Sequence, residues 1–125
     1  MNRSKFNKMI RGLRKDINGL AGMSVRKYKK QAARDAKKLL TKMKKDLKRR
    51  TDLLDEGRLT PSDFEFLVAS QGASIKMSGL EKSGLAEIRV DHFRKSIFNL
   101  IIDTIFDVVI PDAPEEEEEE EVDPS

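Results

Sequence analysis

Cysteine and tryptophan are absent from this 125-residue chain, and histidine and tyrosine occur once each. Without cysteine there can be no disulfide, no thiol nucleophile and no thiolate ligand for a metal. One histidine, His92, is too few for the common zinc sets or for a Ser-His or Cys-His pair of known type. Glycines occur in QGASIKMSG (residues 71–79), but that segment lacks the Gly-Lys-Ser/Thr ending of a phosphate cradle and follows no strand. No run of ~18 uncharged apolar residues exists, so no spanning helix is expected. MNRSKFNKMIRGLRK has charge but no apolar centre of secretory type, so the expected location is cytoplasmic. These absences favour a protein that is not an enzyme and uses neither metal nor cofactor.

Charge is abundant and unevenly placed. The net value of +3 hides a polarity along the chain. Residues 1–50 hold 19 of the 25 Lys and Arg against three acids, Asp16, Asp35 and Asp46, a balance of +16. Residues 51–125 hold the remaining six cations against 19 acids, a balance of −13. The sequence pI near 9.2 conceals both halves.

Periodicity divides the chain into four segments, 1–23, 24–57, 58–111 and 112–125. In the first, Phe6, Met9, Ile10, Leu13 and Ile17 recur at spacings of three and four, with Leu20 continuing the row; this is a one-faced helix. Gly19 and Gly22 are expected to end it, with Ser24 as N-cap of the next. Residues 25–56 contain neither Gly nor Pro and are rich in Ala, Leu, Lys, Arg and Met, all strong helix formers. As one helix of coiled-coil type they would reach roughly 48 Å. Val25, Tyr28, Ala32, Ala36, Leu39, Leu40, Met43, Leu47 and Leu54 share one side. Arg26, Lys27, Lys30, Arg34, Lys37, Lys38, Lys42, Lys44, Lys45, Lys48 and Arg49 share the other, with Asp35 and Asp46 at the margin. Gly57 is placed to end the helix as a left-handed C′ residue.

LTPSDF (residues 59–64) is a helix start: Thr60 as N-cap, Pro61 at N1, Asp63 at N3, and Leu59 able to staple to Phe64. Gly72, Gly79 and Gly84 weaken the helical pattern over residues 72–84. Ala86, Ile88 and Val90 alternate with Glu87, Arg89 and Asp91, the period of a short strand at 85–90, or else a link or first turn into the next helix. Residues 91–110 are apolar over most of their circumference, broken by one polar line of His92, Ser96, Asn99, Asp103 and Asp107. Phe93, Ile97, Phe98, Ile101, Ile105, Phe106 and Val109 mark it as a central core helix or an assembly surface. Pro111 and Pro114 close it, and the acidic tail beyond them has the composition of a disordered, solvated segment. The expected fold is an all-α bundle with one long basic helix.

Two uses fit these features. In the first, the eleven cations from Arg26 to Arg49 bind a polyanion, nucleic acid above all, without reading sequence, and Glu115–Glu121 act as a competing internal polyanion. In the second, the long helix and the 91–110 helix assemble as a homo-oligomer or with a helical protein partner, because their apolar area exceeds what a small monomer covers. A third use is peripheral: the first apolar row, flanked by Arg3, Lys5, Lys8, Arg11, Arg14 and Lys15, has the form of a helix that lies on anionic lipid. Asp103 and Asp107, one turn apart, could approach a divalent ion but read more simply as the wet edge of a buried helix. His92 reads as a surface residue rather than a pH switch.

Overall fold

A computed structural model describes residues 1–110. They form five α-helices and no strand: α1 (Arg3–Ser24), α2 (Lys29–Asp55), α3 (Pro61–Ala73), α4 (Ser78–Lys82) and α5 (Glu87–Val109). The expected all-α bundle is what the chain adopts, while the acidic tail lies outside the described residues.

The apolar rows decide the packing. Phe6, Met9, Ile10, Leu13 and Ile17 of α1 meet Ala36, Leu39, Leu40, Met43 and Leu47 of α2 and Phe93, Ile97, Ile101 and Ile105 of α5 in one continuous core. All of these side chains are buried. Fully burying such a residue contributes on the order of 1.5–3 kcal/mol, which sets the rotation of each helix about its axis. α1 and α2 form an antiparallel hairpin. The Arg14 guanidinium donates to Thr41 Oγ1 at 2.7 Å, and Arg3 and Asn7 share a hollow with Lys44 and Lys48. α5 runs antiparallel to α1 on its other side, with Arg89 donating to the Ser24 carbonyl at 3.3 Å and Asp16 sharing a hollow with Asp103.

Three local expectations are corrected, and the choice left open at residues 85–90 is decided for the first turn of a helix. Gly19 and Gly22 do not end the first helix: the row continues through Ala21, which is fully buried, and α1 runs on to Ser24. Each helical glycine costs about 1 kcal/mol, less than the burial that the extra turn secures. Ser24 is therefore the last residue of α1 rather than a cap for α2. The break falls at Val25, and a 3₁₀ turn over Arg26–Tyr28 precedes α2, so the long helix starts four residues later than expected. There is no strand at 85–90 among the described residues. A strand would set Ala86, Ile88 and Val90 on one face, yet Val90 is 3% exposed and Ile88 67%. The helix instead satisfies its backbone from Glu87 onward, without a partner strand.

The expected stops and starts are otherwise in place. Gly57 takes φ +74°, the Arg58 amide donates to the Leu53 carbonyl at 2.8 Å and the Gly57 amide to Leu54 at 3.1 Å. That pair of bonds is the Schellman end of a helix. The Thr60 hydroxyl accepts from the Asp63 amide at 3.0 Å, capping α3 behind Pro61.

Phe93, Ile97, Phe98, Ile101 and Ile105 are buried and Phe106 and Val109 half-buried within the single chain. Phe106 packs on Phe64 of α3 with ring centroids 5.8 Å apart. Among the described residues the large apolar side chains left exposed are Met23, Phe66 and Ile88, one on each of α1, α3 and α5. Most of the apolar area from which self-association was expected is thus packed inside the chain, with Leu100, Phe106, Val108 and Val109 half-buried. The apolar row of α1 is likewise in the core, so laying it on lipid would require opening the bundle.

α3 and α5 approach closely at Gly72, where an added Cβ would stand 2.1 Å from Cε1 of the buried Phe98 ring. Gly72→Ala is expected to lower stability by about 1–3 kcal/mol through overpacking. Gly12→Ala, on the open side of α1, should raise it by up to ~1 kcal/mol through helix propensity. Urea unfolding followed by far-ultraviolet circular dichroism distinguishes the two; equal effects would place the α3–α5 contact elsewhere.

Candidate functional site

Lysine and arginine in α2 point away from the core because an ammonium or guanidinium is costly to bury unpaired. Of the eleven cations singled out, nine are exposed, and Lys37 and Lys48 are half-buried. The structure does not keep them as one uniform face. Arg26 and Lys27 sit in the 3₁₀ turn ahead of α2, where Lys27 Nζ lies 5.8 Å from the Tyr28 ring centroid. Lys30 is exposed near the start of the helix. Arg49 pairs with Asp46 at 2.8 Å. The other seven gather along the seam between α1 and α2.

That seam carries two hollows. One, of about 320 Å³, is lined by Arg14 of α1 with Arg34, Lys37, Lys38, Thr41 and Lys42 of α2. The second, of about 340 Å³, is lined by Arg3, Phe6 and Asn7 with Thr41, Lys44, Lys45 and Lys48. Thr41 lines both; its hydroxyl accepts from Arg14 and donates to the Lys37 carbonyl at 2.9 Å. Among the described residues no acid lines either hollow. From Arg34 to Lys48 the α2 side of the seam runs about 21 Å.

The acids of the basic half explain why the seam is uncompensated. Asp35, expected at the margin of α2, is instead 6% exposed and turned inward. Its carboxylate accepts from the Gly79 amide at 3.0 Å and the Leu80 amide at 2.7 Å, holding the first turn of α4 against α2. Asp46 faces α3, where Gln71 Nε2 donates to it at 2.7 Å and the Gln71 carbonyl oxygen accepts from Arg50 at 2.9 Å. Asp16 lies on the α5 side of α1, beside Lys15 and Asp103. Within the seam only Lys48 has a carboxylate partner among the described residues, Asp52 at 2.6 Å.

These pairs shift the carboxyls. The Arg49 guanidinium, hydrogen-bonded to Asp46, holds that carboxyl below its ordinary value; desolvation opposes this and Gln71 assists it. The Lys48 ammonium lowers Asp52 in the same way.

Arg3, Asn7, Arg14 and Thr41 were not among the residues assigned to nucleic-acid binding from the sequence, Arg3 and Arg14 having been placed only on the lipid-facing flank of the first helix. The signal was nevertheless present: Arg3, Asn7 and Arg14 occupy one edge of the α1 apolar row, the edge that an antiparallel partner brings beside α2.

The remaining chemical candidates stand apart from the seam. His92 is exposed on α5, beside Ser24, Arg89 and Ser96. Asp103 and Asp107 form the exposed edge of α5, and no group of three metal-ligating side chains occurs among the described residues. No helix there is long and apolar enough to cross a membrane. A further hollow of about 970 Å³ between α3, α4 and α5 mixes Lys76, Arg94 and Lys95 with Glu81, Glu87 and Asp91. Arg94 is committed there to the carbonyls of Gly72 and Ile75, tying down the end of α3. Comparison of the chain with models of known families, with curated proteins and with solved structures gives no match.

Because the folded-state value of Asp46 is lowered, its pairing stabilises the protein above the unfolded value of 3.8. That contribution is lost as pH falls through the lower folded value. Asp46→Asn is expected to be less stable than the parent near pH 6, with the gap closing below about pH 4. Urea midpoints across that range measure it; a gap independent of pH would mean that the carboxylate charge is not what holds Gln71 and Arg49.

Proposed function

We propose that the protein is a non-enzymatic polyanion-binding module that holds nucleic acid by its phosphate backbone, without reading sequence, along the α1–α2 seam. One observation carries this reading: two adjoining hollows that meet at Thr41, lined by cations from two helices and, among the described residues, by no acid. Phosphate oxygens accept well from Arg and Lys, and such contacts position a backbone while carrying no base information. Seven cations of α2 with Arg3 and Arg14 lie along roughly four helical turns. A duplex strand presents a phosphate every ~3.4 Å of axis, so several can be met at once.

The lack of an available aromatic favours a backbone mode over base stacking. Phe6, under the second hollow, is 2% exposed, and Tyr28, half-buried in the 3₁₀ turn, stands alone among these residues. Single-strand recognition by stacked bases would need a ring on the surface. The assembly reading relied on apolar area of the long helix and of the 91–110 helix beyond what one chain covers, and most of that area is buried within the single chain.

The test is fluorescence anisotropy of labelled DNA and RNA duplexes titrated with the full chain over a range of salt. Neutralising about six phosphates gives a slope of log K against log salt of about −5 on DNA. Replacing Lys37, Lys38, Lys44 and Lys45 with Glu should abolish binding while the helical circular dichroism stays unchanged; retained binding would refute the assigned surface. Arg3→Ala and Arg14→Ala should each weaken binding and flatten the slope by about one. Unchanged slopes would confine the contact to α2.

A further inference from the structure

The acidic end of the sequence is not accounted for by a binding seam alone. Glu115–Glu121 are seven consecutive carboxylates, and the first comes five residues after Ile110, the last residue described. α5 ends on the α3 start, where Phe106 meets Phe64. Because α5 is antiparallel to α1, that end of the bundle also holds the start of α1 and the finish of α2. The nearer of the two seam hollows, with Arg3, Lys44, Lys45 and Lys48, lies at this same end.

Length permits the connection. Five extended residues span at most ~17 Å and eleven ~38 Å, while α1, which packs against both α2 and α5, is ~10–12 Å across. Charge gives the direction. Asp103 and Asp107 are exposed on α5 and repel a polyglutamate that folds back along it. The outward side of α1 presents Lys8, Arg11 and Lys15, all exposed, on the way to the seam.

We propose that Glu115–Glu121 dock in cis across α1 onto the α1–α2 seam, over the hollows that meet at Thr41. The segment thereby acts as a built-in competitor for the polyanion site. The docking is an intramolecular contact that stands by itself; its regulatory meaning rests on the polyanion reading above. A tethered segment meets the seam at an effective concentration of millimolar order. A free ligand must displace it, so weakly charged or short polyanions are refused while long, dense ones are admitted.

The experiment compares the full chain with a full-length variant in which Glu115 through Glu121 are each replaced by Gln. Backbone amide spectra are recorded at low salt and at two protein concentrations, followed by titration with a labelled random-sequence DNA duplex. Docking in cis shifts the amides of Arg14, Lys37, Thr41 and Lys44 between parent and variant, independently of concentration. Duplex affinity of the variant is then about tenfold higher at low salt, a difference that shrinks as salt rises. Unchanged seam amides overturn the proposal, as do shifts that grow with protein concentration, which would mean contact between chains. Seam shifts without duplex binding by either protein would uphold the docking and sink the polyanion reading. Equal binding by both with unchanged amides would do the reverse.

Discussion

A lysine ammonium cannot enter an apolar interior without a partner, and an alanine-lined stripe cannot hold a helix to its neighbours unless it is covered. α2 must meet both demands along the same 27 residues. The only solution is a fixed rotation about its axis, with Ala32, Ala36, Leu39, Leu40, Met43 and Leu47 inward and the cations out. α1 obeys the same rule with its own row. Two helices so constrained and packed antiparallel necessarily bring the edges of their basic faces together. The seam is therefore a by-product of core burial, and no residue in it needs a special backbone conformation.

What makes the seam unusual is the use of the acids. An ordinary solvated face mixes both signs. Here Asp35 caps the amides of α4 and Asp46 organises Gln71, Arg49 and Arg50 against α3. Each acid is spent on joining the basic half of the chain to the acidic half. The contacts span 44 and 45 residues for Asp35 and 25 for Asp46. The same two residues thus stabilise the tertiary fold and leave the seam side of α2, among the described residues, with Asp52 on Lys48 as its one carboxylate partner.

Much of this was legible in the sequence, and the failures have physical causes. The apolar rows of α1, α2 and α5, the Thr60-Pro61 start and the Gly57 stop are local patterns, and local patterns survive folding. The end of α1 was misplaced because glycine propensity was weighed without the burial of Ala21 that overrides it. At 85–90 the two-residue alternation spans too few residues to decide between a strand and the first turn of a helix, so both stay open until the helix is seen. The seam was half visible: the cations of α2 could be counted, but the contribution of Arg3 and Arg14 depends on which helix lies beside which. Asp35 could not be placed inward from sequence, since its partners are backbone amides of residues 79 and 80. Neither periodicity nor composition marks such a pairing.

The excess of cations along the seam also has a consequence for the folded state itself. Like charges held side by side repel, and the fold is strained by its own surface whenever nothing neutralises it. Dissolved ions relieve that repulsion by screening, as does any bound anion that prefers the folded chain. Ionic strength then firms the bundle, and under the proposed polyanion reading the same salt loosens its hold on a ligand. On that reading, the conditions in which the fold is most robust are those in which its surface grips least.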